Sequence, residues 1–272
     1  MQLGYNGATT MTSNLETDIR IAGEAGFDAL EITATKLDTF LTYHSIDDAR
    51  KLIDAARVKT YAINSVEKIN FREAEGRAKV LARTRQLCQY AQVLACPWII
   101  AVPGPAPEGT QWEAIRDNTV TSLRAMSEIA APLDVNLAFE FLGFPWCSVR
   151  TAAQSWEIVR VTDRANIGMV IDTCHFFAGG STLDSLRVID AKKLAIFHIN
   201  DVEPMPKEEI TDAHRLFPGD GVIPLREIIG AVRGIGYAGV ASVEIFRPEY
   251  WQRDPLAVAK EAKAKSLRVL GM

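Results

Sequence analysis

The sequence predicts a (β/α)8 TIM barrel, one domain covering residues 1–272, on three observations. Short strand-like runs alternate with longer helical segments from end to end. The runs are apolar throughout rather than at every second position, as in parallel strands buried on both faces. No linker, low-complexity tract or charge run divides the chain, and barrels of this class reach such lengths as one domain.

Strands are expected at residues 3–9, 29–34, 60–65, 98–104, 136–143, 167–175, 194–201 and 239–246. Helices are expected between them, at 15–25, 47–56, 73–94, 112–131 and 225–235. Leu123, Met126, Ile129 and Ala130 share one face of the fourth, at helical spacing. Ser13 with Glu16, Ser45 with Asp48, Thr151 with Gln154 and Ser181 with Asp184 read as capping boxes at helix starts. The rival architecture, a doubly wound open sheet, wants a glycine-rich phosphate turn after the first strand. Asn6-Gly7-Ala8-Thr9-Thr10 does not supply one. The Pro/Gly-rich stretch 103–109 follows the fourth strand and reads as a loop on the active face.

Composition narrows the function. A formal charge of −4 without a basic block leaves no electrostatic footprint for nucleic acid. No run approaches the roughly 20 apolar residues of a membrane span. No basic segment followed by a long apolar one opens the chain, so no secretory leader is expected and the reading is cytoplasmic. Cys88, Cys96, Cys147 and Cys174 lack metal-site or redox-pair spacing and are expected as reduced packing residues. A homo-oligomer is left open.

Four of the apolar runs each end in a metal-ligand type: Glu140 after Leu137-Ala138-Phe139, Asp172 after Met169-Val170-Ile171, His198 after Ala195-Ile196-Phe197, and Glu244 after Ala241-Ser242-Val243. An unpaired carboxylate in such a place costs several kcal/mol or more, roughly, unless a cation or donor accompanies it. Any one of them alone reads as a strand-end carboxylate or a core histidine. Four on strands five to eight of one ring converge on a single volume, where barrels of this class do their chemistry. Oxygen and imidazole donors without thiolates suit Mn²⁺, Mg²⁺, Co²⁺ or Zn²⁺.

Other residues are expected around that ion. His175 stands three positions beyond Asp172, where it can reach a substrate oxygen or cap the next helix. Arg215, in the long loop after strand seven, can hold an oxyanion or pair at the surface. Asp201 is expected to orient a ligand or that arginine. Trp146 and the Tyr250-Trp251 pair are expected to wall a pocket or to pack. His44 reads as solvent-facing, and His214 stays open.

With these residues in place, the sequence resembles the xylose-isomerase-like TIM barrels, a family of sugar-phosphate isomerases and epimerases, over essentially its whole length. The segments that carry the resemblance are Tyr5–Thr10, Ala101-Val102-Pro103, residues 139–143, residues 170–176, His198-Ile199-Asn200-Asp201 and residues 242–250. The last of these, with residues 215–221, points to the inosose (2-keto-myo-inositol) isomerase branch. The resemblance implies one divalent metal ion on Glu140, Asp172, His198 and Glu244, with His175 and Arg215 on the substrate. Two positions depart from that branch: Asn200 and Gly7 stand where it has acidic residues, and both bear on hydroxyl recognition rather than on metal ligation.

The expected reaction is isomerisation or epimerisation of a small keto-polyol. The ion acts as a Lewis acid on the ketone, and Glu140 or Glu244 moves the proton through a cis-enediol(ate). A ketose 3-epimerase and a 3-dehydroshikimate dehydratase are rivals on the same site, and a sugar-binding regulatory barrel is the non-enzyme rival. An abasic-site endonuclease is disfavoured by only four histidines and the negative charge.

Overall fold

In the computed structural model, which describes residues 1–272, eight parallel strands close into a barrel. They are β1 (Gln2–Asn6), β2 (Ala29–Thr33), β3 (Lys59–Val66), β4 (Trp98–Ala101), β5 (Asn136–Glu140), β6 (Ile167–Asp172) and β7 (Leu194–Ile199), completed by a later strand. Between them and that last strand lies a separate antiparallel ribbon of β8 (Asp201–Val202) and β9 (Arg215–Leu216). The closing strand is β10 (Val240–Val243), and the ring runs β1-β10-β7-β6-β5-β4-β3-β2.

The outer layer comprises α1 (Leu15–Ala25), α2 (Ala34–Phe40), α3 (Ile46–Ala56), α4 (Ala74–Val93), α5 (Trp112–Ala130), α6 (Ala152–Thr162), α7 (Thr173–Ala178), α8 (Leu183–Arg187), α9 (Leu225–Gly234), α10 (Pro248–Trp251) and α11 (Pro255–Leu270). None is long and apolar enough to cross a membrane.

Continuous apolar strands have two faces to bury, and they bury them in two places. The larger core lies between strands and helices, around Leu30, Phe139, Ile171 and Phe197. A smaller one fills the barrel interior with Ala62, Ile100, Ala138, Val170 and Ile196. Side chains alternate along a strand, so the next inward positions on β5, β6 and β7 are Glu140, Asp172 and His198. The interior plug is the floor of the site.

Most strands end sooner than expected. β1 stops at Asn6 rather than residue 9, because the Asn6 side chain accepts from Ala8 N and starts a 3-10 turn over Gly7–Thr10. β6 stops at Asp172 rather than 175, because that carboxylate accepts from His175 N and caps α7. β4, β5, β7 and β10 likewise end two or three residues early. The residues beyond stay apolar because the loops fold back over the barrel mouth; Phe141, Phe144 and Ile245 are buried there.

The capping boxes at Ser45–Asp48 and Thr151–Gln154 form reciprocally. The other two starts shift by one residue: Asn14 caps α1 through Thr17 N, and Thr182 caps α8 through Ser185 N. All four cysteines are free and buried, and burial pushes the Cys88 and Cys96 thiols up to about 12. They are packing residues.

Candidate metal centre

Each ligand type sits where the alternation of its strand leads inward. Asp172 and His198 are direct partners in the β6–β7 register. Glu140 closes β5, and Glu244 follows the last residue of β10. All four are buried, none more than 3% exposed. His198 Nδ1 lies 2.9 Å from Glu140 Oε1, 3.2 Å from Glu244 Oε2 and 4.0 Å from Asp172 Oδ2. One donor atom from each residue falls within 4.8 Å of all the others.

This arrangement fits a divalent ion. Donors about 2.0–2.2 Å from a common ion stand roughly 3–4 Å from each other, which is the spacing seen. The charge argument agrees. Glu31, Glu140, Asp172 and Glu244 are four buried carboxylates facing one buried guanidinium, Arg215, and two imidazoles, His175 and His198. Burial opposes a charge on His198, yet Glu244, Glu31 and Glu140 outweigh it and raise the ring well above its ordinary basicity. The carboxylates that favour a positive charge on His198 would equally favour a divalent ion among them.

Three partners lay outside the sequence reading. His198 Nε2 meets both oxygens of Glu31 on β2, at 3.1 and 2.9 Å. Asn6 and Asn64 both donate to Glu244 Oε1, each at 2.9 Å. Glu31 carries the same signal that exposed the other carboxylates, a charge inside the apolar run Ala29-Leu30-Glu31-Ile32, but it stands within the run rather than closing it. The two asparagines give no such signal.

Arg215 is 1% exposed and enters the site from the start of β9. It donates to Asp172 Oδ2 at 2.7 Å and Glu244 Oε2 at 3.2 Å, meets His175 Nε2 at 3.0 Å and is anchored by Asp212 Oδ1 at 2.9 Å. Burial resists ionisation of Asp172, but Arg215, His175 and His198 bring its carboxyl down to about 2. Burial lowers His175 below its usual range, and its Nδ1 has no hydrogen-bond partner. Asn200 serves the site indirectly: it donates to Asp172 Oδ2 at 2.7 Å and accepts from Cys174 N at 2.8 Å. Gly7 is a packing necessity, since a Cβ there would lie 2.7 Å from Asp18 Oδ2 and 2.8 Å from Thr33 Oγ1.

Asp201 turns away from the ligands and from Arg215. Its carboxylate accepts from the backbone N–H of Val202, Gly219 and Ile223, and so gathers the loop that delivers Arg215. Trp146 stands half exposed at the rim, tilted against Phe144, which meets His175 edge-on at 4.8 Å. Tyr250 stacks on Phe217 at 4.1 Å, and Trp251 Nε1 donates to Ala8 O, so both pack rather than face the site. His44 is half exposed beside Glu16, and His214 Nδ1 accepts from Thr211 N.

Comparison with known proteins bears on the same site. The family model for the xylose isomerase-like TIM barrel matches residues 19–268. An inosose isomerase of Halalkalibacterium halodurans is 36% identical over 99% of this chain and 96% of its own. An inosose isomerase of Bacillus subtilis is also 36% identical, over 99% and 98%. Among solved structures, the IOLI protein with a binding zinc atom superposes with a TM-score of 0.97 at 35% identity, covering 100% of this chain and 98% of that one.

Proposed function

This chain belongs to the xylose isomerase-like TIM barrel family, is an isomerase, and from that premise we propose that it is a metal-dependent inosose isomerase acting on 2-keto-myo-inositol. The observation that carries the reading is the convergence of Glu140, Asp172, His198 and Glu244 within 4.8 Å, beside a buried Arg215–His175 pair. The full-length likeness to inosose isomerases supplies the substrate class.

Glu140, Asp172, His198 and Glu244 would hold the ion. A divalent metal supplies Lewis acidity to a ketone oxygen and its neighbouring hydroxyl. The residues divide the remaining work. His175 presents its unpartnered Nδ1 to a substrate oxygen, and Trp146 closes the outer wall. Arg215 holds Asp172 and Glu244 in place and puts a fixed positive charge beside developing negative charge, without reorganisation during the reaction.

Glu140 is the proton carrier on this reading. Its Oε1 meets His198 Nδ1, and its other oxygen accepts no hydrogen bond. Glu140 would take the proton from the hydroxyl-bearing carbon and return it to the former carbonyl carbon, while the hydroxyl proton passes to the former ketone oxygen, so that the carbonyl moves by one position. A proton-exchange assay in deuterated water tests the proposal, using 2-keto-myo-inositol with Mn²⁺ and following the carbon-bound protons by NMR. Deuterium entry with formation of an isomeric inosose is the expected result. No exchange on any inosose, or an ultraviolet-absorbing dehydrated product from dehydroshikimate instead, would overturn it.

A further inference from the structure

We propose that Glu31 is a positioning residue for the metal centre: it fixes the His198 ring so that Nδ1, and not Nε2, is the ligating nitrogen. A neutral imidazole has one N–H and one lone pair, and an ionised carboxylate only accepts. Glu31 receives Nε2 on both oxygens, at 3.1 and 2.9 Å, so that nitrogen carries the proton. Nδ1 faces Glu140, Glu244 and Asp172, and an ion bound among these carboxylates would take the place of the proton on Nδ1 and meet its lone pair, while Nε2 keeps its proton on Glu31.

The carboxylate is itself fixed from two sides. Ser242 Oγ donates to its Oε2 at 3.0 Å and Asn64 Nδ2 to its Oε1 at 3.0 Å. Ser242 is the register partner of His198 across β10–β7. The ring and its anchor are therefore set by the same pair of strands, and Glu31 is only 2% exposed. The carboxylate also makes the imidazole a better donor to a cation. Partners of this kind change metal affinity by about 10–100-fold when removed.

The inference rests on the metal reading and is tested without substrate, so the two can fail separately. Co²⁺ and Zn²⁺ affinities of the full chain are measured by competition with a chromogenic chelator for wild type, Glu31→Gln and Glu31→Leu. The Co²⁺ visible absorption band and the ¹⁵N NMR signals of His198 are recorded alongside. The expected order of affinity is Glu31, then Gln, whose carbonyl still accepts from Nε2, then Leu, with Leu weaker by about 10–100-fold. The ¹⁵N signals should place the metal on Nδ1 in wild type.

A purely structural role would instead lower the melting temperature of the metal-free variants and leave the affinity and the Co²⁺ band of the folded protein unchanged. Should the leucine variant fail to fold, the near-isosteric glutamine variant decides alone. Wild-type affinity and spectrum in that variant, or a metal on Nε2 in wild type, overturn the proposal. A wild-type chain that binds neither ion removes the metal reading and this inference with it.

Discussion

Glu140 and Glu244 are one residue type on one ring of strands, yet their surroundings differ. Both oxygens of Glu244 are engaged, Oε1 by Asn6 and Asn64 and Oε2 by Arg215. Glu140 shares a single oxygen with His198. Burial pushes its carboxyl up to about 8, Glu244 and Asp172 adding to the effect and His198 opposing it. Glu140→Gln, measured with metal at saturation because it also alters one of the four residues that would hold the ion, should lose turnover by about 10²–10⁴-fold, read as loss of deuterium exchange into 2-keto-myo-inositol; a variant with unchanged exchange would remove Glu140 as the base. Arg215→Lys should cost about 3 kcal/mol by urea unfolding. A lysine cannot reproduce a planar fork that joins Asp172, Glu244, His175 and Asp212, and two lost charge-assisted bonds are worth roughly that much. At this scale the buried cluster of Glu140, Asp172, His198 and Glu244 was legible because a carboxylate closing an apolar strand has a cost that needs explaining. Asn6 and Asn64 were not, because an amide can be buried with ordinary partners and advertises nothing, and Asn200, noted for hydroxyl recognition, instead holds Asp172.

The strands were legible as elements, and their ends were not. Apolar composition marks burial, and the first residues after β1, β5 and β6 stay buried, Ala8, Phe141 and Cys174 among them. Only a local competitor, such as the Asn6 side chain on Ala8 N, ends the ladder. The helix α2 shows what else the pattern missed. Lys36, near its start, is 7% exposed and donates to Gly7 O, Thr10 O and Asp18 Oδ2, at 2.9, 2.8 and 2.6 Å. It thereby joins α2, α1 and the turn that follows β1, the turn that begins at the Glu244 partner Asn6. Lys36→Met leaves Asp18 buried without its counter-charge and should cost about 1–2 kcal/mol at pH 8, where that carboxyl would be ionised. The cost should depend on pH. Burial already lifts the Asp18 carboxyl to about 7, with Lys36 and Thr10 pulling it down. Loss of Lys36 lifts it further. A folded carboxyl raised above its unfolded value binds the extra proton in the folded state, so its stability is present at low pH and lost as pH rises through the folded value. Urea midpoints of the variant should therefore approach wild type at pH 5 and fall away by pH 8. A deficit independent of pH would show that Asp18 is not the group left uncompensated.

Across the whole molecule the site acts as a clasp over the barrel mouth. Its ligands and their partners come from Asn6 on β1, Glu31 on β2, Asn64 on β3, Glu140 on β5, Asp172 on β6, His198 on β7 and Ser242 on β10. Glu31 reaches His198 across 167 residues of chain, and Asn64 reaches Glu244 across 180. These links join strands three places apart around the ring, which sequence spacing cannot show because it orders strands and does not say which side chains meet across the barrel. They also concentrate negative charge: four buried carboxylates against Arg215 and His198. A cation at this point neutralises that charge and ties β5, β6, β7 and the end of β10 to one atom. Metal binding and barrel stability should therefore be linked. An ion present at about 100 times its dissociation constant adds about 2.7 kcal/mol, which for a chain of this size raises the melting temperature by roughly 5–10 °C. Stripping the protein with a chelator should lower the midpoint by that amount and abolish turnover together. Readdition of Mn²⁺, Co²⁺ or Zn²⁺ should restore both, whereas sodium chloride at equal ionic strength should not, because a screened monovalent ion makes no directed bonds to Nδ1 and three carboxylates. If stripped and loaded protein melt at the same temperature, the four residues hold each other through shared protons alone, and the barrel mouth needs no metal ion to close.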